Sequence, residues 1–128
     1  TMYGAEIISR ELARGVVWEL VFDAGEPIGF LSFEHDRAAD TVTLQKLYLL
    51  PRLHGRGIGQ AMIARVRTAA AAAGASAIRL QVNKRNIRAI RAYERAGFHI
   101  TDRIVVDIGE GFVMDDFVMM TETRAPGA

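Results

Sequence analysis

Apolar and polar residues change period several times along the chain, and each change marks an element. Between residues 3 and 14, Ile7, Ile8 and Leu12 fall on one side of a helical projection that Gly15 closes, which predicts a short amphipathic helix. Residues 16–22 are β-branched and aromatic, with Glu19 as the one charged interruption, and read as a strand. Turn chemistry follows at Asp23-Ala24-Gly25-Glu26-Pro27, so the apolar run 28–34 should return as the second arm of a hairpin. A polar turn over 35–40 leads to a third strand over 41–50. It ends Leu47-Tyr48-Leu49-Leu50, apolar at successive positions, which predicts a central strand covered on both faces. Trp18 and the Met119–Met120 pair read as core.

Beyond Pro51 the period lengthens. Residues 61–73 predict a helix, with Ile58, Met62, Val66, Ala69 and Ala73 on one stripe and Gly74 as its stop. Residues 77–83 alternate and form a strand. A helical crossover between this strand and the third requires the two to run parallel. Asn86 is a good N-cap for a second helix over 87–96, stopped by Gly97. Strands over 99–108 and 112–122, joined through Gly109-Glu110-Gly111, make a closing hairpin. The expectation is one α/β (α+β) domain over residues 1–128 with a mixed sheet.

Composition narrows the function classes. The chain has 128 residues, half of them hydrophobic and 24% charged, in the range of globular proteins. It has no cysteine, so disulfides, thiolate metal sites and a covalent thiol intermediate are excluded. A net charge of +1 is too balanced for a nucleic-acid protein, and no base-stacking aromatics accompany the basic residues. Those basic residues cluster from Arg52 to Arg95, which fits a polyanionic ligand. His35 and His99 lack neighbours at metal-ligand spacing, so no metal is expected. Neither a signal peptide nor a membrane span is visible, and a cytoplasmic protein is expected.

The densest motif is His54-Gly55-Arg56-Gly57-Ile58-Gly59-Gln60, between a strand and a helix. Alternating glycines let successive N–H groups converge, and the helix adds its own unpaired amides and the positive end of its dipole. This is a phosphate-binding arrangement. Gly59 falls one position early for a dinucleotide fingerprint, and Gly59-Gln60-Ala61 lacks the lysine of a P-loop.

Leu47-Tyr48-Leu49-Leu50-Pro51 followed by His54-Gly55-Arg56-Gly57-Ile58-Gly59 resembles the core motif of the GNAT superfamily of acyl-CoA-dependent N-acyltransferases. Leu80-Gln81-Val82-Asn83 with Asn86, Ala89 and Tyr93-Glu94-Arg95-Ala96-Gly97-Phe98 is similar to that superfamily's second block, and the match extends from Val16 nearly to the end. The resemblance implies a mostly antiparallel sheet with helices on both faces and a splayed parallel strand pair forming a CoA cleft. It further implies that backbone groups of Gly55, Arg56, Gly57, Ile58, Gly59 and Gln60 hold the pyrophosphate of CoA, with His54 at the motif's first position. Main-chain groups of Leu47, Tyr48 and Leu49 would pair with the pantetheine arm, Asn86 and Ala89 would line the channel, and Tyr93 would sit at the thioester sulfur. Relative to the family, a strand and a helix are expected to be missing before Tyr3.

A phenol with pKa about 10 is protonated at neutral pH and suits the departing thiolate. An alkylamine with pKa about 10.4 is mostly protonated at pH 7, and freeing it costs about 4.6 kcal/mol. Family members often carry a glutamate on the strand before the glycine turn. This strand offers Gln45 and Lys46, which leaves Glu34 as the substitute base, and Asp115 or Asp116 to steer a cationic amine. The reading is an N-acetyltransferase that uses acetyl-CoA and a primary amine in a ternary complex, as a monomer or homodimer. The alternative is a non-catalytic acyl-CoA-binding module, and the amine itself is not specified.

Overall fold

A computed structural model describes residues 5–11 and 15–124. Seven strands form one sheet: β1 (Ala5–Glu11), β2 (Val16–Asp23), β3 (Glu26–Asp36), β4 (Thr41–Leu49), β5 (Ala77–Asn83), β6 (His99–Gly109) and β7 (Phe112–Glu122). Their spatial order is β1-β2-β3-β4-β5-β7-β6, antiparallel throughout except for the parallel pair β4–β5. Two helices, α1 (Ile58–Ala72) and α2 (Ile87–Arg95), complete this mixed, mostly antiparallel α/β fold. No helix among the described residues is long and apolar enough to cross a membrane.

The first element departs from expectation. Residues 5–11 are a strand paired antiparallel with β2, from Ala5 opposite Asp23 to Glu11 opposite Val17. A backbone ladder to β2 outweighs the helical spacing of two isoleucines, because a strand edge offers hydrogen bonds that an isolated short helix does not. Residues 3, 4 and 12–14 of the expected helix lie outside the described residues.

Cross-strand partners share a face, so the register divides the sheet into two sides. Leu31, Leu44, Leu49, Ile78, Leu80 and Met119 lie on one side, where they form a single core with Met62 and Val66 of α1 and Ile90 of α2. Both described helices therefore pack on this side, and they touch each other where Gln60 Nε2 donates to the Ala92 carbonyl at 2.9 Å. The α1 stripe is Ile58, Met62, Ile63, Val66 and Ala70, while Ala73 is exposed.

The opposite side of β2–β4 carries Trp18, Leu20, Phe30, Lys46 and Tyr48. Tyr48 is 44% exposed and Leu20 43%, so the end of β4 is not covered on both sides. A bulge explains the misleading pattern. The β3–β4 register shifts between Ser32 and Phe33, and Gln45 is the extra residue. Apolar positions consequently run Val42, Leu44, then Leu47, Leu49, each on the core side. Trp18 is half-buried on the open side, whereas Met119 is core.

Candidate functional site

The parallel pair is zipped over only four positions, from Thr41 opposite Ala77 to Leu44 opposite Leu80. Past these, β4 continues to Leu49 and β5 to Asn83 without pairing to each other, because β4 stays with β3 and β5 stays with β7. The strands splay, and β4 presents a free edge over Leu47, Tyr48 and Leu49. Gly29 keeps β3 and β4 close here: a Cβ on it would stand 2.5 Å from the Tyr48 carbonyl oxygen.

The chain leaves β4 through a 3-10 turn, Pro51–Leu53, and enters α1 three residues earlier than the sequence pattern implied. Gly57, at φ +82°, is the N-cap, a left-handed conformation that favours glycine. The Ala61 N–H makes the first intrahelical bond, to the Gly57 carbonyl at 3.0 Å. The amides of Ile58, Gly59 and Gln60 thus have no partner within the helix. Ile58 contributes only its backbone, since its side chain is core. His54 Nε2 donates to the Leu49 carbonyl at 3.0 Å, which ties the turn to the end of β4, and Arg56 is exposed on the turn.

At the far side, Asn86 caps α2 by accepting from the Ala89 N–H at 3.3 Å. Tyr93 is half-buried, its ring 5.5 Å from that of Phe98, and burial raises its pKa above the usual 10.0. A cavity of about 320 Å³ joins these parts. Leu47, Tyr48, Leu49, His54, Gly55, Gly57, Gly59, Gln60, Asn86, Ala89 and Tyr93 all line it. Ile63, Ala92, Arg88 and Arg95 line it too, and among the described residues no carboxylate does. Ile63 and Ala92 follow one turn after Gly59 and Ala89, so helical spacing was the signal for them.

Glu34 is elsewhere. It accepts from Gln45 Nε2 at 3.1 Å and lines a separate, larger cavity of about 1080 Å³ beside Glu19 and Arg65, which shares no residue with the first. Along β3 it stands four residues from Phe30, the partner of Tyr48, or about 13 Å. Asp115 is also committed: Lys84 and Arg103 hold it at 2.5 and 2.6 Å and press its pKa well below the carboxylate range, with the Arg103 hydrogen bond the largest cause. Asp116 accepts only from side-chain amides, Gln81 at 3.0 Å and Asn83 at 3.5 Å. Among the described residues no cluster of three metal-type ligands occurs.

The model of the acetyltransferase (GNAT) family matches residues 4–98. The chain belongs to this family. It is 31% identical over 104 residues to the peptidyl-lysine N-acetyltransferase YjaB of Salmonella typhimurium, covering 80% of this chain and 63% of that one. It is 32% identical over 118 residues to the mycothiol acetyltransferase of Gordonia bronchialis, covering 85% of this chain and 36% of that one. The spermidine N-acetyltransferase of Vibrio cholerae, solved in complex with CoA and spermine, shares the fold at TM-score 0.74 and 21% identity, over 85% of this chain and 66% of that one. The chain spans less than two thirds of the length of curated relatives such as YjaB.

Proposed function

We propose that the chain binds acetyl-CoA in the smaller cavity and transfers the acetyl group to a primary amine by direct attack in a ternary complex. The observation that carries this reading is the splay itself: a free strand edge, helix amides without intrahelical partners and a half-buried phenol meet in one cavity, with no carboxylate lining it among the described residues. The amides of Ile58, Gly59 and Gln60, with Arg88 and Arg95, suit the phosphates of CoA. The edge of Leu47, Tyr48 and Leu49 suits the amide-bearing pantetheine arm, which adds as a strand does. Asn86 uses Oδ1 on its own helix and keeps Nδ2 as a donor at the wall, while the small side chain of Ala89 leaves room beside it.

Acetyl-CoA supplies the activated acyl carbon, and transfer forms a C–N bond as the C–S bond breaks. Tyr93 supports the step by staying protonated, since burial raises its pKa, so a donor is available to the departing sulfur. The acceptor attacks as the free amine, so the rate follows the free-amine fraction, and the proton its nitrogen sheds on becoming an amide replaces the one Tyr93 gives to the departing sulfur.

The same lack of a carboxylate favours, as a second reading, a non-catalytic acyl-CoA-binding module. Calorimetry with CoA, combined with thiol release from acetyl-CoA in the presence of spermidine or a lysine peptide, separates the two. The chain has no cysteine, so a thiol reagent reports only released CoA. Release that needs the amine and falls about a hundredfold in Tyr93→Phe, with CoA affinity kept, supports the enzyme. CoA binding without release on any amine supports the module, and no CoA binding refutes both.

A further inference from the structure

The open side of the sheet holds a feature that cofactor binding leaves unused. Trp18 and Phe30 stand 6.0 Å apart between ring centroids, and Phe30 and Tyr48 stack at 5.5 Å. Lys46 Nζ sits 5.3 Å from the centre of the Trp18 ring. The register orders these side chains: Trp18, Ser32 and Lys46 form one row, and Leu20, Phe30 and Tyr48 form the next, nearer the splay. Tyr48 belongs both to this strip and to the lining of the smaller cavity. An aromatic ladder thus leads across the sheet to the point where β4 and β5 part. On the other arm of the splay, β7 brings Asp116 opposite Asn83, the last residue of β5. Its carboxylate meets only neutral amides, unlike that of Asp115.

A lysine side chain is an ammonium on a four-carbon stem. By resting on Trp18, Lys46 shows what chemistry the ladder accepts, since ring faces attract cations and bury alkyl stems. We infer that the strip Trp18–Phe30–Tyr48 is the acceptor subsite for a linear alkylammonium, and that Lys46 is its intramolecular occupant, displaced when the acceptor binds. Asp116 supplies the opposite charge at the mouth. The inference rests on the acetyltransferase reading for its biological sense, but the strip and its occupant exist independently of it. Lys46 becomes a specificity-determining residue: its charge raises the threshold for weakly held amines, and an acceptor must outcompete it on the aromatic rings.

Trp18 is the only tryptophan, so its emission reads the strip directly and without acetyl-CoA. The probe is n-hexylammonium at pH 7, with n-hexanol as the uncharged control of equal length. The expected result is a saturable emission change with hexylammonium at lower concentration than with hexanol. Lys46→Gln is expected to tighten hexylammonium binding about two- to five-fold, the worth of an exposed cation–π contact. Asp116→Asn is expected to weaken it by a comparable factor. Both side chains lie at the surface or bond only to amides, and matched melting curves confirm folding. The inference is overturned by an unsaturable response, by hexanol binding as tightly as hexylammonium, or by a Lys46→Gln affinity equal to the parent's. Emission that changes with protein concentration alone assigns the strip to a second copy and also overturns it. A chain that binds hexylammonium but transfers no acetyl group refutes the catalytic reading and leaves this one standing.

Discussion

Removing the guanidinium of Arg65 is expected to be among the costliest single changes in the chain. Glu19 enters the core side of β2 with a side chain only 1% exposed, and Arg65 of α1 grips it at 2.9, 3.1 and 3.3 Å. In Arg65→Met the carboxylate keeps its buried position and loses its counter-charge. Breaking a buried pair in this way costs about 3–5 kcal/mol. The lower end applies, because the Arg65 side chain is 43% exposed and the adjacent cavity lets water approach. For 128 residues, an unfolding entropy of about 2.1 cal/mol/K per residue converts ~3 kcal/mol into a fall in Tm of about 11 °C. Replacing both partners by methionine removes charge and counter-charge together and should restore most of the loss. Urea titration of the parent, both single variants and the double variant gives the coupling directly. A loss below about 1 kcal/mol in Arg65→Met, or a double variant as unstable as the sum of the singles, would refute the argument.

Four further outcomes follow from the site. Gly29→Ala should destabilise by about 1–3 kcal/mol, because the new methyl meets the Tyr48 carbonyl oxygen at 2.5 Å, and calorimetry should show weaker CoA binding as the β4 edge shifts. Asn86→Ala removes the acceptor for the Ala89 N–H and should cost about 1 kcal/mol, with faster hydrogen exchange in the first turn of α2. If Tyr93 is the proton donor, turnover should rise about tenfold per pH unit from 7 to 9 as the amine deprotonates, with no falling limb below pH 10, and Tyr93→Phe should lower the whole profile without moving its ascending limb. Since the Tyr93 pKa is raised on folding, its contribution to stability is complete below pH 10 and is lost as pH climbs through the folded value, which alkaline melting curves test.

Elements whose evidence is local were legible in the sequence, and those decided by distant partners were not. The capping residue Asn86 and the glycine turn announce their own backbone geometry, so α2 and the entry to α1 could be read within a few residues. β1 could not, since its extended form depends on seven pairings with β2. Glu19 stood out as a charge in an apolar strand, yet its partner is 46 residues away and on a helix whose pattern did not require an arginine there. Glu34 looked like the nearest available base from strand order alone. The fold sets it four residues along β3 from Phe30, the partner of the cavity-lining Tyr48, and binds it to Gln45 instead. That Tyr93 shares a cavity wall with Asn86 and Ala89 was legible because the helical offset between them is a short-range quantity.

Gln45 illustrates how counting can matter more than chemistry. Being one residue too many, it resets the parity of everything after it in β4: Leu47 and Leu49 turn toward the helices, while Lys46 and Tyr48 turn away. Substituting Gln45 alters two side-chain hydrogen bonds, to Ser32 and Glu34. Deleting it would remove the bulge but leave strict alternation, with Leu44, Leu47 and Leu49 still toward the helices and Lys46 and Tyr48 still away; deleting Leu47, beyond the bulge, would instead turn Tyr48 inward and Leu49 out to water. The free edge of Leu47, Tyr48 and Leu49 and the Tyr48 end of the aromatic ladder both lie on β4 beyond that bulge, so neither surface can drift in register without carrying the other with it.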